Sequence, residues 1–481
     1  MSVRVRFAPS PTGYLHIGGA RTALYSYLFA KANNGTNILR VEDTDLERSK
    51  REYEESQIED LAWLGIDYDE SPEKPGKHGP YRQSERTEIY TRYASEFVEK
   101  GVAYPCFLTE DDLEELTEKA KSEEKPHHFY HGRYRDLSKD EAQKRIDAGE
   151  EYVIRFKNPK KKYTFTDLVR GEVTFPEDMV GDFVIIRSNK MPVYNFCCVI
   201  DDHLMEISHV IRAEDHLNNT LRQLMIYEAL DAKTPEFAHV SLLVGEDRQK
   251  LSKRHGATSV SQYQDDGFLP EALNNYLCLL GWSHPDEVDI FTLEEASKVF
   301  NLERFSKSSS LYDIKKLIHF NGEHIKKMEL QVLNEKVSEL LKSNELFQGQ
   351  SDDWKSLFIS FFQDKVEFIK NYDDKLSDLF RKEIVKSEEF SELISLESTT
   401  QIINFASKLL FDEIQDQPFL EEEQFSNLMS EIKKSGIKGK PLFKGLRVVM
   451  TLNSEGPDLK TLMKLTPVEI LKARVKTLKE L

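Results

Sequence analysis

The spacing of apolar positions changes along this chain, and the changes mark its parts. Val3, Val5 and Phe7 alternate with Arg4 and Arg6, which is the period of a short strand. Ala20, Ala23, Leu24, Leu28 and Ala32 then recur at helical spacing. Pro9–Gly19, rich in proline and glycine, is the loop between them. Ile38, Leu39 and Val41 predict a second strand running into VEDTD. A helix beginning near Asp45 carries Ile58, Leu61 and Leu64 on one face. After the polar stretch ESPEKPGKHGPYRQSER the pattern is helical and charged from Glu88 to about Gly149. It then gives way to the strand-like runs YVIRF, YTFTDLV, GEVTF and DFVIIRS. The block Glu88–Met191 is therefore expected to be an insert with a sheet of its own. VYNFCCVIDDHL reads as a return to a buried strand. Leu221, Leu224 and Ile226 mark a helix after it, and HVSLLV a further strand. Beyond Phe320 the strand signals nearly vanish. Ile403, Ala406, Leu410 and Ile414 keep helical spacing, so the last third is expected to be all α.

Composition narrows the class. A chain of 481 residues suggests several domains, and 39% hydrophobic with 10% aromatic residues suffices for packed cores. MSVRVRF lacks the apolar stretch of a secretory signal, and no apolar run approaches transmembrane length. Cys106, Cys197, Cys198 and Cys278 show no CxxC spacing and fit a reducing compartment, so a cytoplasmic protein is expected. The net charge of -18 argues against non-specific adhesion to nucleic acid. Local basic patches leave a specific nucleic-acid partner open. One is RFKNPKKK, with Lys157 to Lys162. The other is KKSGIKGKPLFKGLR, from Lys433 to Arg447, which has no acidic residue. Such a run is also what a solvated surface loop looks like.

Two loops carry candidate chemistry. In an open α/β sheet, a nucleotide is expected where a strand turns into a helix, with phosphates near the helix N-terminus. Pro9–Gly19 occupies such a turn, although it matches neither GxGxxG nor GxxxxGK[ST]. Gly18 and Gly19 would let a flat base or a phosphate approach the backbone. His16, near the helix start, can donate a hydrogen bond to a phosphate oxygen. In the second loop, GEDRQKLSKRHGATSV, Lys250, Lys253 and Arg254 bracket Ser252. Two or three cations there would neutralise a triphosphate and its developing pyrophosphate.

Together these loops resemble the two signatures of the class I aminoacyl-tRNA synthetases: His16-Ile17-Gly18-Gly19 and Lys250-Leu251-Ser252-Lys253-Arg254. RFAPSPTGYLHIGGARTAL, RVEDTD, GPYRQSER, VIRAEDH and LPEALNNYLCLLGWS narrow the match. They closely resemble the bacterial glutamyl-tRNA synthetase family. The likeness is dense to about Gly322 and returns at PLFKGLRVVMT and GPDL. It implies an α/β fold: a Rossmann-like catalytic domain in residues 1–88 and 196–245, split by an α+β acceptor-end-binding insert at 89–195. A stem-contact region with the KLSKR loop would follow at 246–324, and an all-helical anticodon-binding part at 325–481.

The resemblance also implies roles. ATP would contact Pro9, Ser10, Thr12, Gly13, His16, Gly18, Gly19, Leu251, Ser252, Lys253 and Arg254, and Mg2+ would arrive with it. His16, Gly18, Lys250 and Lys253 would serve catalysis, Lys253 following charge onto the leaving pyrophosphate. Glutamate would meet Arg6, Ala8, Ser10, Glu42, Tyr194, Cys198 and Arg212. The arginines suit this task, because a buried guanidinium matches a carboxylate and gains little from an amide. Activation is an in-line attack on the α-phosphate, so positioning and charge neutralisation are needed rather than an acid–base pair. In this family that step usually needs tRNA bound.

Departures are visible too. At Cys198 some relatives carry an asparagine. Some relatives also bind zinc in the insert, but here only Cys106 remains, with Leu108 and Tyr134 at other ligand positions. His127, His128 and His131 are loosely spaced, and no structural zinc is expected. The partners implied are L-glutamate and the glutamate tRNA, held in part by Lys433, Lys434, Lys438, Lys440 and Arg447. No membrane is implied, and a monomer is expected. A variant that also charges the glutamine tRNA stays open, as does a non-catalytic tRNA-binding paralogue. The helical reading of 325–481 disfavours a glutaminyl relative with a β-barrel tail, and the chain is too long for the shortened paralogue that modifies a tRNA base.

Overall fold

The computed structural model describes residues 2–252, 258–384, 388–453 and 458–481. The chain divides into two compact units, Met1–Phe320 and Asn321–Leu481.

In the first unit, β1 (Arg4–Phe7) leads through the Pro-Gly loop into α1 (Ile17–Ala32) and on to β2 (Thr36–Leu39), which pairs parallel with β1. All four residues of β1 are buried. The alternation therefore does not separate a wet face from a dry one. Arg4 and Arg6 are instead buried on carboxylates, Glu70 and Asp202. The expected helix near Asp45 begins later, as α2 (Arg51–Trp63), with Glu52 and Glu54 in its positive first turn.

The next elements are α3 (Thr87–Glu99), β3 (Ala103–Cys106), α4 (Glu110–Ser122), α5 (Lys139–Asp147), β4 (Val153–Phe156), β5 (Tyr163–Asp167), β6 (Gly171–Phe175) and β7 (Phe183–Ile186). α4 begins at a capping box in which Thr109 and Asp112 satisfy each other's backbone N–H groups. β3, β4 and β7 form a three-stranded antiparallel sheet. β5 and β6 do not join it, which departs from the expectation of one sheet within the insert. They extend the sheet formed later in the chain by β8 (His209–Ala213) and β9 (Glu236–Val240), in the order β6-β5-β9-β8. The arginine-side edge of that sheet meets β1, where the Ser208 N–H donates to the Arg4 carbonyl at 2.9 Å.

VYNFCCVIDDHL is not a strand. Tyr194–Leu204 is a helix, α6. A short apolar run reads alike in a buried strand and a buried helix. Here the helical period sets Cys198 and Asp202 on one face, toward Arg6 and Arg40. The same period puts Asp201 within reach of Arg86, Gln83 and Tyr90. Phe196 of α6 also packs edge-on against Phe97 of α3, with centroids 5.8 Å apart. The expected insert thus shares one apolar core with the nucleotide-fold elements.

After α7 (Leu217–Leu230), β9 and β10 (Leu243–Val244) come the short helices α8 (Val260–Asp265), α9 (Pro270–Leu279) and α10 (Leu293–Val299). β11 (Ser310–Leu311) pairs parallel with β10, and α11 (Ile314–Lys327) follows. Among its described residues the second unit is helical. It includes α12 (Leu330–Leu340), α13 (Glu345–Gln348), α14 (Asp352–Phe362), α15 (Asn371–Phe380), α16 (Glu388–Ile394), α17 (Glu397–Lys408), α18 (Glu422–Lys434), α19 (Lys440–Thr451), α20 (Leu459–Leu465) and α21 (Val468–Lys479). Arg474 of α21 is fully buried. It donates to the carbonyls of Arg381, Met450, Asp378 and Leu379, so it closes the C-terminal ends of α15 and α19.

Candidate active site

The Pro-Gly loop is pinned along its length. The Pro9 carbonyl accepts the Glu42 N–H at 2.9 Å, and the Pro11 carbonyl accepts the Lys50 N–H at 3.0 Å. Gln57 of α2 donates to the Gly13 carbonyl at 2.7 Å. The loop ends at His16, whose Nδ1 accepts the Gly18 N–H at 3.0 Å and caps α1. This bond fixes the tautomer. Nδ1 is the acceptor, so a neutral ring carries its proton on Nε2. Burial, with Lys250 nearby, holds the His16 pKa below its ordinary value and keeps the ring neutral. A Cβ on Gly18 would lie 3.3 Å from His16 Nδ1, so a side chain there would press on the ring.

Two backbone bonds set the second loop against the first: Ile17 N–H to the Thr258 carbonyl, and Val260 N–H to the Leu15 carbonyl, both 2.9 Å. On the other side, the Leu251 N–H donates to Leu243 of β10 at 2.9 Å. Lys250 Nζ lies 2.6 Å from Asp215 Oδ2. Lys253 and Arg254, two of the expected ATP contacts, lie outside the described residues.

Between these elements is a cavity of about 470 Å3. Of the residues singled out from sequence, Arg6, Ala8, His16, Gly18, Gly19, Tyr194, Arg212, Lys250 and Leu251 line it. Pro9, Ser10, Thr12, Gly13, Glu42, Cys198 and Ser252 do not. Arg21, Thr22, Asp215 and His216 line it as well, without having been singled out.

The two arginines are held differently. Arg6 sits in a buried charge network. Its Nε donates to Asp202 Oδ1 at 3.1 Å, and the same oxygen takes Arg40 Nη1 at 2.6 Å. Arg40 Nη2 continues to Glu42 Oε1 at 3.1 Å. Burial pushes Asp202 toward the neutral acid, but the two guanidiniums hold its carboxyl below the usual range. Glu42 is shifted the other way, burial outweighing Arg40. Cys198 lies 3.6 Å from both Arg6 Nη2 and Arg40 Nη2, and burial pushes its thiol up to about 12. It is therefore a neutral S–H that touches Arg6 rather than the cavity.

Among the described residues, Arg212 has no carboxylate within ion-pair distance. It is 5% exposed. Its Nε donates to His239 Nε2 at 3.0 Å, and its Nη2 donates to Thr220 Oγ1 and Gln223 Oε1, both at 2.8 Å. Its Nη1 is buried and has no hydrogen-bond partner. Arg212 also lines the cavity, and its buried Nη1 is a donor left over among the described residues. Nearby, Tyr194 Oη lies 3.2 Å from Nδ1 of His216, whose pKa is lowered to about 4 by burial and then by Arg212.

The expected tRNA contacts lie in the second unit. Lys433 and Lys434 end α18, Lys438 precedes α19, and Lys440 begins it; all four are exposed, and Arg447 is half-buried. In the first unit, Leu108 and Tyr134 pack with Cys106 in a small apolar cluster. No group of three or more His, Cys, Asp or Glu able to hold a metal occurs among the described residues. No helix among them is long and apolar enough to cross a membrane.

A strand-to-helix loop rich in proline and glycine, a lysine-bearing second loop and a buried guanidinium border one cavity, in a class of protein that uses ATP. The chain belongs to the class I tRNA synthetases of the E and Q group, whose catalytic-domain model matches residues 2–319. It is 44% identical to a glutamate–tRNA ligase of Bdellovibrio bacteriovorus, over 98% of this chain and 97% of that one. It is also 44% identical to one of Geobacillus thermodenitrificans, over 95% and 94%. A solved glutamate tRNA ligase from Elizabethkingia meningosepticum, in complex with its amino acid, superposes with a TM-score of 0.90. That protein shares 32% identity, over 100% of this chain and 99% of the other.

Proposed function

We infer that this chain is a glutamate–tRNA ligase. It joins L-glutamate to ATP, releasing pyrophosphate, and passes the glutamyl group from the adenylate to a terminal ribose hydroxyl of the glutamate tRNA. The observation that carries the reading is Arg212, a buried guanidinium with an idle donor on the cavity wall. The substrate's side-chain carboxylate supplies the missing acceptor. Glutamine would offer a neutral amide there and leave the cation poorly matched.

The remaining roles are those the family resemblance implies. His16 donates from Nε2 to a phosphate oxygen of ATP. Gly18 and Gly19 keep the floor low. Arg6, held by Asp202, and Tyr194 frame the amino acid; Glu42, bound to Arg40 and set back from the cavity, is the residue the resemblance assigns to its ammonium group. Lys250 leaves Asp215 for the triphosphate, and Lys253 follows the developing charge onto pyrophosphate. Mg2+ enters on the ATP phosphates and needs no all-protein cage. Residues 89–195 hold the acceptor end, and the helical second unit meets the anticodon through its exposed lysines. The enzyme works in the cytoplasm as a monomer.

Aminoacylation tests this directly. The protein is mixed with ATP, Mg2+ and labelled glutamate, with purified glutamate tRNA or glutamine tRNA in separate reactions, and the set is repeated with labelled glutamine. Glutamate on the glutamate tRNA alone is the expected result. Charging of both tRNAs would make the enzyme non-discriminating. Glutamine charging, or no charging, would overturn the reading.

A further inference from the structure

Arg212 is held from behind by two residues that do not line the cavity. His239 is its neighbour in the parallel register of β8 and β9. His239 Nδ1 lies 2.6 Å from Asp167 Oδ2, and its Nε2 lies 3.0 Å from Arg212 Nε. All three residues are buried. Arginine cannot accept a hydrogen bond, so Nε2 must be the bare nitrogen and the ring proton must sit on Nδ1, facing Asp167. Asp167 is in turn fixed, because its Oδ1 accepts the N–H groups of Val169 at 2.9 Å and Arg170 at 2.8 Å. Three groups thus point one way: Arg212 donates to His239, and His239 donates to Asp167. With Nε on His239 and Nη2 on Thr220 and Gln223, the plane of the guanidinium is set, and Nη1 is the donor left over.

We propose that His239 and Asp167 are positioning residues for substrate selection: they lock the Arg212 guanidinium so that its Nη1 edge meets the side-chain carboxylate of glutamate. Asp167 comes from β5, in the segment read from sequence as the insert, so part of amino-acid selection is built from outside the nucleotide fold. The proposal rests on the reading of Arg212 as the side-chain ligand.

Asp167→Asn is the sharpest probe because it is isosteric. The amide oxygen stays on the Val169 and Arg170 N–H groups and keeps the His239 backbone N–H at 3.2 Å, which leaves the amide NH2 facing His239 Nδ1 in place of an oxygen that also took the His239 backbone N–H. The ring proton is then driven to Nε2, against the Arg212 N–H. His239→Leu removes the acceptor, and His239→Gln restores one. The measurements are KM for glutamate, KM for ATP, kcat, the glutamate-to-glutamine ratio of kcat/KM, and the melting temperature, with Arg212→Gln as reference. Asp167→Asn and His239→Leu should raise KM for glutamate roughly 10- to 100-fold and lower the selectivity ratio. KM for ATP should stay within about twofold, since no ATP contact is disturbed. His239→Gln should recover most of the loss. The proposal is overturned if Asp167→Asn melts like the wild type and leaves KM for glutamate unchanged while Arg212→Gln raises it. It is also overturned if glutamate and ATP constants rise together. Should Arg212→Gln itself leave KM for glutamate unchanged, the reading of Arg212 fails instead. If His239→Leu does not fold, Asp167→Asn decides alone.

Discussion

His16 does two separable jobs, one per ring nitrogen, and a single substitution divides them. Nδ1 accepts the Gly18 N–H and starts α1, while Nε2–H is left for the cavity. Asparagine places its side-chain oxygen about where Nδ1 sits and is a good helix cap, so His16→Asn should keep the helix start. It has nothing at Nε2. The loss is one hydrogen bond to an ionised phosphate, worth about 1.5–3 kcal/mol, or roughly a 10- to 150-fold fall in kcat/KM for ATP. His16→Ala should lose the same activity and, in addition, about 1 kcal/mol of stability with the cap. Aminoacylation at varied ATP, paired with thermal melts of the full chain, reads both quantities. If His16→Asn retains wild-type kcat/KM for ATP, Nε2 donates nothing to the reaction. If it loses as much melting temperature as His16→Ala, the bond to Gly18 does not cap the helix.

Acidification should destabilise the protein. Burial lowers His131 and His216 to about 4 and also holds His239 below the ordinary 6.5. At these three histidines the unfolded chain binds protons first, so their contribution is full above about 6.5 and is lost as pH falls toward 4; they outnumber Asp60, raised to about 7, and Glu42, which act in the opposite sense. A melting temperature that is level or rising between pH 7 and pH 5 would contradict this. In the second unit, Arg474→Met should cost about 3 kcal/mol, because the carbonyls of Arg381, Met450, Asp378 and Leu379 lose their shared donor. A calorimetric scan like that of the wild type would show those carbonyls to be otherwise satisfied. Lys438→Glu with Lys440→Glu should raise KM for the tRNA about tenfold while leaving KM for ATP alone. An unchanged tRNA constant would remove this patch from the interface.

The residues legible in the sequence were those close together in a loop. Pro9–Gly19 and the stretch around Lys250 announce themselves by composition, and both border the cavity. Arg6 and Arg212 could be named, but not what holds them. Arg6 rests on Asp202, 196 positions away, and Asp202 faces it only because α6 is a helix. Reading that run as a strand hid the pairing: alternation also sets Cys198 and Asp202 on one face, but about 13 Å apart, whereas a single helical turn brings both to Arg6. His239 and Asp167 gave a weaker signal still. Asp167 ends YTFTD and His239 lies in EFAHV, each with other polar residues in its strand, and 72 positions separate them. Only the pairing of β5 with β9 brings them into line with Arg212. The strand runs predicted a sheet of the segment's own; two of the four, β4 and β7, form one with β3, while β5 and β6 join β9 and β8, a choice that depended on neighbours no local pattern encodes.

The bond between Ser208 and Arg4 has a consequence in time. The two residues stand 204 positions apart. At about 5–20 residues per second, roughly 10–40 s pass on the ribosome between the emergence of β1 and that of its neighbour. Throughout that interval β1 has β2 beside it but an open edge on its other side. Arg6 has been synthesised while Asp202 has not. The nascent chain thus carries a strand paired on one side only, with an unmatched arginine, until the intervening segment has been made. The length of that segment is a built-in delay, during which one edge of β1 stays open to wrong pairing.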